Sequence, residues 1–453
     1  MANETKTTPR RNIIWFVDDQ HRGQALGCHG DPNLHTPALD HLALSGLDFP
    51  RAVAGFPLCC PFRGSMLTGR YPHHCIPGHE YPLPDGQRTI ADVFRENGYR
   101  TAYFGKWHCD GWKERDGRAA LHTVPRARRG GFDLWLGYDN NNSPWDSWIH
   151  GHTEDGAEVP HERLPGFETD ALTDRIIAYV REAAVRARNG DAQPFFAVIS
   201  VQPPHDPHLA PREWMARHTA GEMALRPNVP PVASIEAAAR RMLAGYYAQI
   251  ENVDWNVGRL RDALAAEGLL DSTHLIFFSD HGDQMGSHGQ FKKMSPYAEA
   301  VDIPFIIGGL RDRYDGLSGR CENVLVNHVD MAPTTLGLCG IAAPDWMEGT
   351  DYSFLRLGGP ERPMPDSAYL QSIVPTRHGD SMDRPWRGVV TRDGWKYVCF
   401  EHVPFALFNL NEDPYELANH AHNTRYRVER RRLQDRLAQW IADTGDTFRL
   451  PDL

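Results

Sequence analysis

Four short apolar runs, at residues 12–17, 100–104, 195–201 and 274–279, each break off into a polar, chemically loaded cluster. That arrangement constrains the fold more than any other feature of the chain. Their length and their β-branched and aromatic content suit buried strands. Between them lie segments of helical periodicity. Residues 36–45 read as a helix opened by a Thr36 cap with Pro37 at its first position. Residues 89–97 and 170–188 read as helices too. The longest runs from about 234 to 264, where Tyr246, Ile250, Val253, Val257, Leu260 and Leu264 keep a three-to-four spacing. Strands alternating with helices predict an α/β fold whose sheet is covered on both faces.

In such sheets, chemistry gathers in the loops just beyond the carboxyl ends of strands. Here those ends carry Asp18-Asp19, Gly105-Lys106-Trp107-His108, Pro204-His205-Asp206-Pro207-His208 and Asp280-His281-Gly282-Asp283. A fifth cluster, Cys59-Cys60-Pro61-Phe62-Arg63, precedes a segment that reads as the start of a helix. Asp18, Asp19, Asp280 and His281 form one anionic pocket if the first and fourth strands are neighbours. Converging carboxylates repel unless a cation compensates them. Oxygen-rich ligands favour Ca²⁺, Mg²⁺ or Mn²⁺ over zinc. Lys106, His108, His205, Lys293 and Arg63 would ring the same pocket, and a metal with several basic side chains clamps a tetrahedral oxyanion such as sulfate or phosphate. Cys59 is the candidate nucleophile.

The rest of the composition bounds the organisation. A chain of 453 residues exceeds one compact core. Gly358, Gly359, Pro360, Pro363 and Pro365 punctuate it, so we expect a catalytic unit over 1–360. A smaller α+β unit over 361–453 would follow, with strand-like pieces at 386–391 and 395–400 and a terminal helix. A net charge of −11 argues against a nucleic-acid partner. The basic run Arg425, Arg427, Arg430, Arg431, Arg432 and Arg436 reads as the solvated face of a helix that buries Leu433, Leu437, Trp440 and Ile441. The eight cysteines form no CxxC pair and no zinc-finger spacing, so we expect reduced, mostly buried thiols. The apolar run Ile13 to Val17 is too short for a signal-peptide core or a membrane span, which sets the expectation of a cytoplasmic protein with no membrane partner. Residues 139–166 show no period and read as a long surface insertion. Asn140–Asn142, Trp145, Trp148, His150 and His152 within it, with Arg377, His378 and Trp386, are candidates for substrate recognition.

The order of these motifs resembles a known family. Asp18-Asp19-Gln20 is followed by Ala25 to Gly30, Thr36-Pro37-Ala38-Leu39-Asp40 and the Cys-x-Pro-x-Arg pattern at 59–63. Next come Leu67 to Pro72, Gly105 to His108, Pro204-His205, Ser279 to Asp283, Lys293, Asp330 to Thr334 and Leu407 to Leu410 with Asp413-Pro414. The chain resembles, over nearly its whole length, the formylglycine-dependent sulfatases of the alkaline phosphatase superfamily. The resemblance implies an alkaline-phosphatase-like large mixed sheet flanked by helices on both faces, with a smaller carboxy-terminal α+β subdomain. It implies that a formylglycine-generating maturation enzyme oxidises Cys59. It implies that Asp18, Asp19, Cys59, Asp280 and His281 hold one divalent ion, Ca²⁺ ahead of Mg²⁺ or Mn²⁺. Arg63 and Lys106 would then hold the formylglycine, and His205 and Lys293 would contact the sulfate and the leaving oxygen. His108 would help to break the covalent intermediate. The implied reaction is hydrolysis of a small organic sulfate ester, carbohydrate, aryl or alkyl, with attack on sulfur by one hydroxyl of the hydrated aldehyde. Two positions depart from the family pattern: Phe62 stands where a serine is usual and His281 where many members have asparagine. The Asp-His pair is similar to that of the phosphonate monoester and phosphodiester hydrolases, which keeps that activity as the alternative. A binding protein in which Cys59 stays a thiol is a third reading.

Overall fold

The computed structural model describes residues 10–113, 116–310, 317–376 and 382–452. Its strands are β1 (Asn12–Asp19), β2 (Leu47–Asp48), β3 (Ala52–Val53), β4 (Arg100–Lys106), β5 (Leu134–Tyr138), β6 (Trp148–His152), β7 (Glu158–Arg163) and β8 (Phe195–Pro204). These are followed by β9 (Thr273–Ser279), β10 (Phe305–Gly309), β11 (Gly319–Arg320), β12 (Val326–Asn327), β13 (Ser367–Ser372), β14 (Trp386–Thr391), β15 (Trp395–Phe400) and β16 (Val403–Asn409). Every residue of β1 is buried, which is possible only for a strand covered on both faces. β1 lies inside a ten-stranded sheet of order β11-β2-β10-β9-β1-β8-β4-β5-β6-β7.

The four strands read from the sequence are adjacent in this sheet and parallel, so all four carboxyl ends open on one side. β1 and β9 are in register to their last residues, with Asp18 opposite Ser279. The aspartates of the two strand ends therefore meet. Alternation along β1 separates two cores: Ile13, Trp15 and Val17 face one, Ile14 and Phe16 the other. The first core packs on Phe62, Met66 and Leu67 of helix Cys59–Thr68 and on helices Ile90–Glu96 and Met331–Leu338. The second packs on helices Pro37–Ser45, Glu168–Arg188 and Ala233–Ala266. The expected stripe Val253, Val257, Leu260 and Leu264 is buried there.

Three expectations need correction. Residues 139–166 are not a loop throughout, because β6 and β7 form an antiparallel hairpin that extends the edge of the large sheet. Buried His150 and His152 stand beside the single buried apolar side chain of β6, Ile149, so no apolar alternation announced it. His150 Nε2 accepts from the Val124 N–H (2.9 Å), and His152 sits between Arg129 and the Phe132 carbonyl. Secondly, Thr36 does not cap its helix. Its hydroxyl donates to Asp40 (2.9 Å), and Asp254, far away in sequence, accepts from the N–H groups of Ala38 (3.3 Å) and Leu39 (2.8 Å) instead. Thirdly, Trp386 is a core residue, fully buried in the small sheet.

β13–β16 form an antiparallel sheet in sequence order, backed by helix Arg427–Asp443, which buries Leu433 and Leu437. Its arginines meet solvent-side carboxylates, Arg432 with Asp393 and Arg436 with Asp366, as a solvated basic face should. All eight cysteines are free; six are buried, and Cys28 and Cys321 are half-buried. Among the described residues, no helix is long and apolar enough to cross a membrane.

Candidate active site

Asp19 closes β1 and is wholly buried. Its Oδ2 accepts from Lys106 Nζ (2.7 Å) and from the Arg63 guanidinium (3.2 Å). Burial pushes the Asp19 carboxyl up, but Lys106, His205, Lys293 and Arg63 outweigh it and hold its pKa well below the usual range. Arg63 projects from helix Cys59–Thr68 and spends its donors on Asp280 Oδ2 (3.1 Å), Asp19, the Lys106 carbonyl (3.0 Å) and Ser200 Oγ (2.8 Å). A buried guanidinium with so many partners fixes the helix against three strand ends. Gly105, one residue before Lys106, is required to be glycine, because a Cβ there would lie 2.1 Å from the Ser200 carbonyl oxygen.

Cys59 opens that helix. Its Sγ lies 3.1 Å from His281 Nε2, 3.2 Å from Lys293 Nζ and 3.7 Å from Asp19 Oδ1. Donor atoms of Asp19, Cys59, Asp280 and His281 all fall within 4.8 Å of one another, and all four residues are buried. The group fits a divalent cation on two further observations. His281 Nδ1 donates to the Gly282 carbonyl (2.9 Å), which leaves the Nε2 lone pair facing the cluster. Burial, and then the charge of Asp19, raises the Asp280 carboxyl to about 7 despite His281 and Arg63, as expected for carboxylates that lack a compensating ion. Asp18 stands slightly apart. Its Oδ2 is bound by His21 Nδ1 (2.6 Å), and its Oδ1 is buried with no hydrogen-bond partner; an orphaned carboxylate oxygen is what a metal ligand looks like without its metal.

Opposite the carboxylates sits a basic rim. Lys293 Nζ donates to Gln20 Oε1 (3.1 Å) and to His205 Nε2 (2.9 Å). His205 Nδ1 donates to the Asp206 carbonyl (2.8 Å), so its Nε2 is the acceptor. Burial works against the Lys293 ammonium, yet Cys59, Asp19, Asp280 and Asp206 together raise its pKa. Burial first, and then Lys293, lowers that of His205. The proton of this pair therefore stays on Lys293. Burial also lowers His108, followed by the charges of Lys106 and His79, so its imidazole is neutral. Gln20 (φ 73°) and His108 (φ 51°) hold left-handed backbone, and so do Lys292 (φ 69°) and Met294 (φ 73°) on either side of Lys293. Such strain gathers at functional sites.

These groups border a cavity of about 130 Å³ lined by Cys59, Lys106, His108, His205, Asp206 and Lys293, with His79, Asn140, Asn142 and Lys292 completing its wall. All the expected site residues except Asp18 thus line the cavity, join the donor cluster or bond directly to it; Asp18, next to Asp19 at the strand end, bonds His21. Of the expected recognition residues, only Asn140 and Asn142 reach the cavity. Trp145 and Trp148 bond to the Leu209 carbonyl (3.0 Å) and Asp146 (3.2 Å) outside it. His150, His152 and Trp386 are packing residues, and Arg377 and His378 lie outside the described residues. The sequence reading gave no role to His21, His79, Ser200 or Lys292. His21 bonds Asp18 and the Ala25 carbonyl close by in the chain, whereas the other three act through a partner distant in the chain or in a loop without a motif.

Comparison with known proteins bears on this cup. Residues 11–341 match the Sulfatase family, and residues 286–443 match the N-sulphoglucosamine sulphohydrolase C-terminal family. An ulvan-active sulfatase of Formosa agariphila is 33% identical over 97% of this chain and 83% of its own. An endo-4-O-sulfatase of Bacteroides thetaiotaomicron is 30% identical over 90% of this chain and 87% of its own. The crystal structure of yidJ from Bacteroides fragilis, solved as a candidate sulfatase, superposes with a TM-score of 0.83 at 25% identity, covering 99% of this chain and 98% of that one.

Proposed function

The chain belongs to the sulfatase family and is a sulfuric ester hydrolase, and from that premise we propose that it removes sulfate from a carbohydrate by way of a formylglycine made from Cys59. One observation carries the reading: Cys59 Sγ touches the donor cluster on one side, at His281 (3.1 Å), and the cationic rim on the other, at Lys293 (3.2 Å). A nucleophile placed there faces both a metal and an oxyanion clamp. We assign the conversion of Cys59 to a formylglycine-generating maturation enzyme, and the cation, Ca²⁺ ahead of Mg²⁺ or Mn²⁺, to Asp18, Asp19, Cys59, Asp280 and His281. When bound, the cation would supply a lowered pKa to the hydrated aldehyde and positive charge for the sulfate oxygens.

The chain's own side chains do the rest. Arg63 and Lys106 neutralise Asp19 and hold the helix that carries position 59. Lys293 holds the proton that the leaving oxygen needs. His205, its tautomer fixed by the Asp206 carbonyl, accepts from Lys293 and keeps it pointed into the cavity. His108, neutral and at the cavity wall, is the base for releasing sulfate. The cavity is smaller than the roughly 300 Å³ at which pockets begin to engulf whole drug-sized ligands. It admits the ester group and leaves the sugar at the mouth, beside Asn140 and Asn142. The similarity of residues 286–443 to an N-sulphoglucosamine sulphohydrolase favours a sugar sulfate. We place the division between the catalytic unit and the carboxy-terminal unit at about residue 360.

The test has two arms. Peptide mass analysis of active enzyme should find an aldehyde in place of the Cys59 thiol, and Cys59→Ala should abolish turnover. A panel of sulfated mono- and disaccharides, aryl sulfates, choline sulfate and aryl phosphonates, assayed with Ca²⁺, should show the saccharide sulfates as the best substrates. An unmodified thiol in fully active enzyme, or full activity in Cys59→Ala, would refute the nucleophile. A preference for the phosphonates would favour the alternative esterase.

A further inference from the structure

A second cluster stands beside the reactive cysteine and takes no part as a group in the reading above. Cys60, His79 and His108 each bring one donor atom within 4.8 Å of the others. They come from three segments: the first turn of helix Cys59–Thr68, the loop after that helix, and the loop following β4. Cys60 is 1% exposed and His108 4%. His79 Nδ1 lies 3.8 Å from Cys60 Sγ, and its Nε2 faces Glu80 Oε1 at 3.9 Å. The His79 and His108 rings meet edge to face 5.6 Å apart. His108 Nδ1 is buried without a hydrogen-bond partner.

An unpartnered imidazole nitrogen costs free energy in a buried site, and the ring that carries it brings a nitrogen within 4.8 Å of a thiol and a second imidazole. One sulfur and two nitrogens, with a carboxylate behind one imidazole, is the donor chemistry of zinc. Zn–S and Zn–N bonds of about 2.3 and 2.0–2.1 Å put tetrahedral S and N ligands roughly 3.6 Å apart. The Cys60 Sγ to His79 Nδ1 separation of 3.8 Å already approaches that value. The neighbouring group of Asp19, Asp280, Cys59 and His281 is richer in carboxylate oxygen and suits a harder cation. Two sites of opposite preference therefore share one wall. His79 and His108 both line the cavity, so the fourth position of an ion on the softer site opens towards the substrate.

We propose that Cys60, His79 and His108 form a second metal site, selective for Zn²⁺, whose occupancy withdraws His108 and switches the enzyme off. The switch rests on the reading of His108 as the base; the site itself does not. Binding exchanges the Cys60 thiol proton for the metal, releases that proton to solvent, and oxidises nothing.

The experiment uses the full chain saturated with Ca²⁺. It is titrated with ZnCl₂ by calorimetry, and crystals soaked in zinc are measured at the zinc absorption edge. The expected result is one Zn²⁺ per chain beyond the Ca²⁺, an anomalous peak between Cys60 Sγ and the two imidazoles, and turnover that falls in step with occupancy. Cys60→Ala and His79→Gln should each weaken zinc binding at least tenfold and shift inhibition by the same factor. No peak at this cluster, or zinc confined to the Asp19–Asp280 group, overturns the site. Zinc held here with undiminished turnover overturns the switch. Neither outcome depends on the mass of residue 59, which tests the nucleophile separately.

Discussion

At the scale of single residues, the arrangement at Lys293 decides how the leaving group is served. The Lys293 ammonium lies 2.9 Å from His205 Nε2 and 3.2 Å from Cys59 Sγ, and the proton of the pair stays on the lysine. A donor matters most when the departing oxygen is a poor leaving group. Lys293→Met should therefore lower kcat on a sugar sulfate by about 10²–10⁴-fold, the range typical of a lost general acid. On a nitrophenyl sulfate, whose phenolate leaves unaided, the loss should be much smaller. Equal losses on both substrates would mean that Lys293 binds sulfate without protonating anything. Asp19, Cys59, Arg63, Lys106, His205, Asp280 and His281 were legible in the sequence because strand ends and the Cys-x-Pro-x-Arg pattern marked them, whereas Lys293, well beyond the end of β9, drew its role from the family resemblance. Gln20 and His21 were harder to read. Gln20 sits in the Asp-Asp-Gln motif, but its work is done through Lys293 and Asp283, both more than 250 positions away. Only the folded register brings them together.

At the scale of elements, the small sheet reaches into the active site through one short segment. Trp386 of β14 donates its indole N–H to the Met294 carbonyl (3.0 Å), and Lys396 of β15 donates to the Pro296 carbonyl (3.1 Å). Both bonds grip the backbone just after Lys293, whose neighbours Lys292 and Met294 hold left-handed φ. Trp386 is thus a positioning residue. Trp386→Phe leaves a buried carbonyl unpaired, which costs about 1–3 kcal/mol, so thermal denaturation should show a lowered midpoint. Kinetics separates positioning from mere loss of stability. Trp386→Phe should lower kcat more for sugar sulfates than for nitrophenyl sulfate, and should add nothing further in a Lys293→Met background. Additive losses would assign Trp386 to packing alone. The sequence showed the four central strands because they are apolar at nearly every position. It hid β6 and β7, where buried His150 meets the Val124 N–H and His152 meets Arg129 and the Phe132 carbonyl in place of apolar packing. It also hid β10, whose short Phe-Ile-Ile-Gly-Gly stretch pairs antiparallel to β9 and carries no strand-length period.

At the scale of the whole molecule, the chain after its last helix is tied back by one carboxylate. Asp446 accepts from Arg387 through both oxygens (2.6 and 3.1 Å), from the Tyr369 hydroxyl (2.7 Å) and from Gln371 Nε2 (2.8 Å). Gln371 in turn meets His73, in the loop after helix Cys59–Thr68, so the anchor links the tail, the small sheet and the helix that bears position 59. Arg387 and Asp446 side chains are only 5% and 3% exposed. Removing one partner from such a pair costs about 3–5 kcal/mol, because the other charge stays buried. Asp446→Asn should be destabilised by roughly that amount near pH 7 in chemical denaturation. The pH dependence follows from the direction of the shift. Burial raises the Asp446 carboxyl, but the hydrogen bonds and charge of Arg387 hold it well below its ordinary value of 3.8. In acid the unfolded chain then binds a proton that the folded chain refuses, so this contribution is complete above pH 3.8 and fades as the pH falls towards the folded value. The stability gap between the two proteins should therefore be constant from pH 7 down to about 5 and narrow below about 4. A gap that persists unchanged in acid would show that packing around Arg387, rather than the ionised Asp446, holds the tail in place.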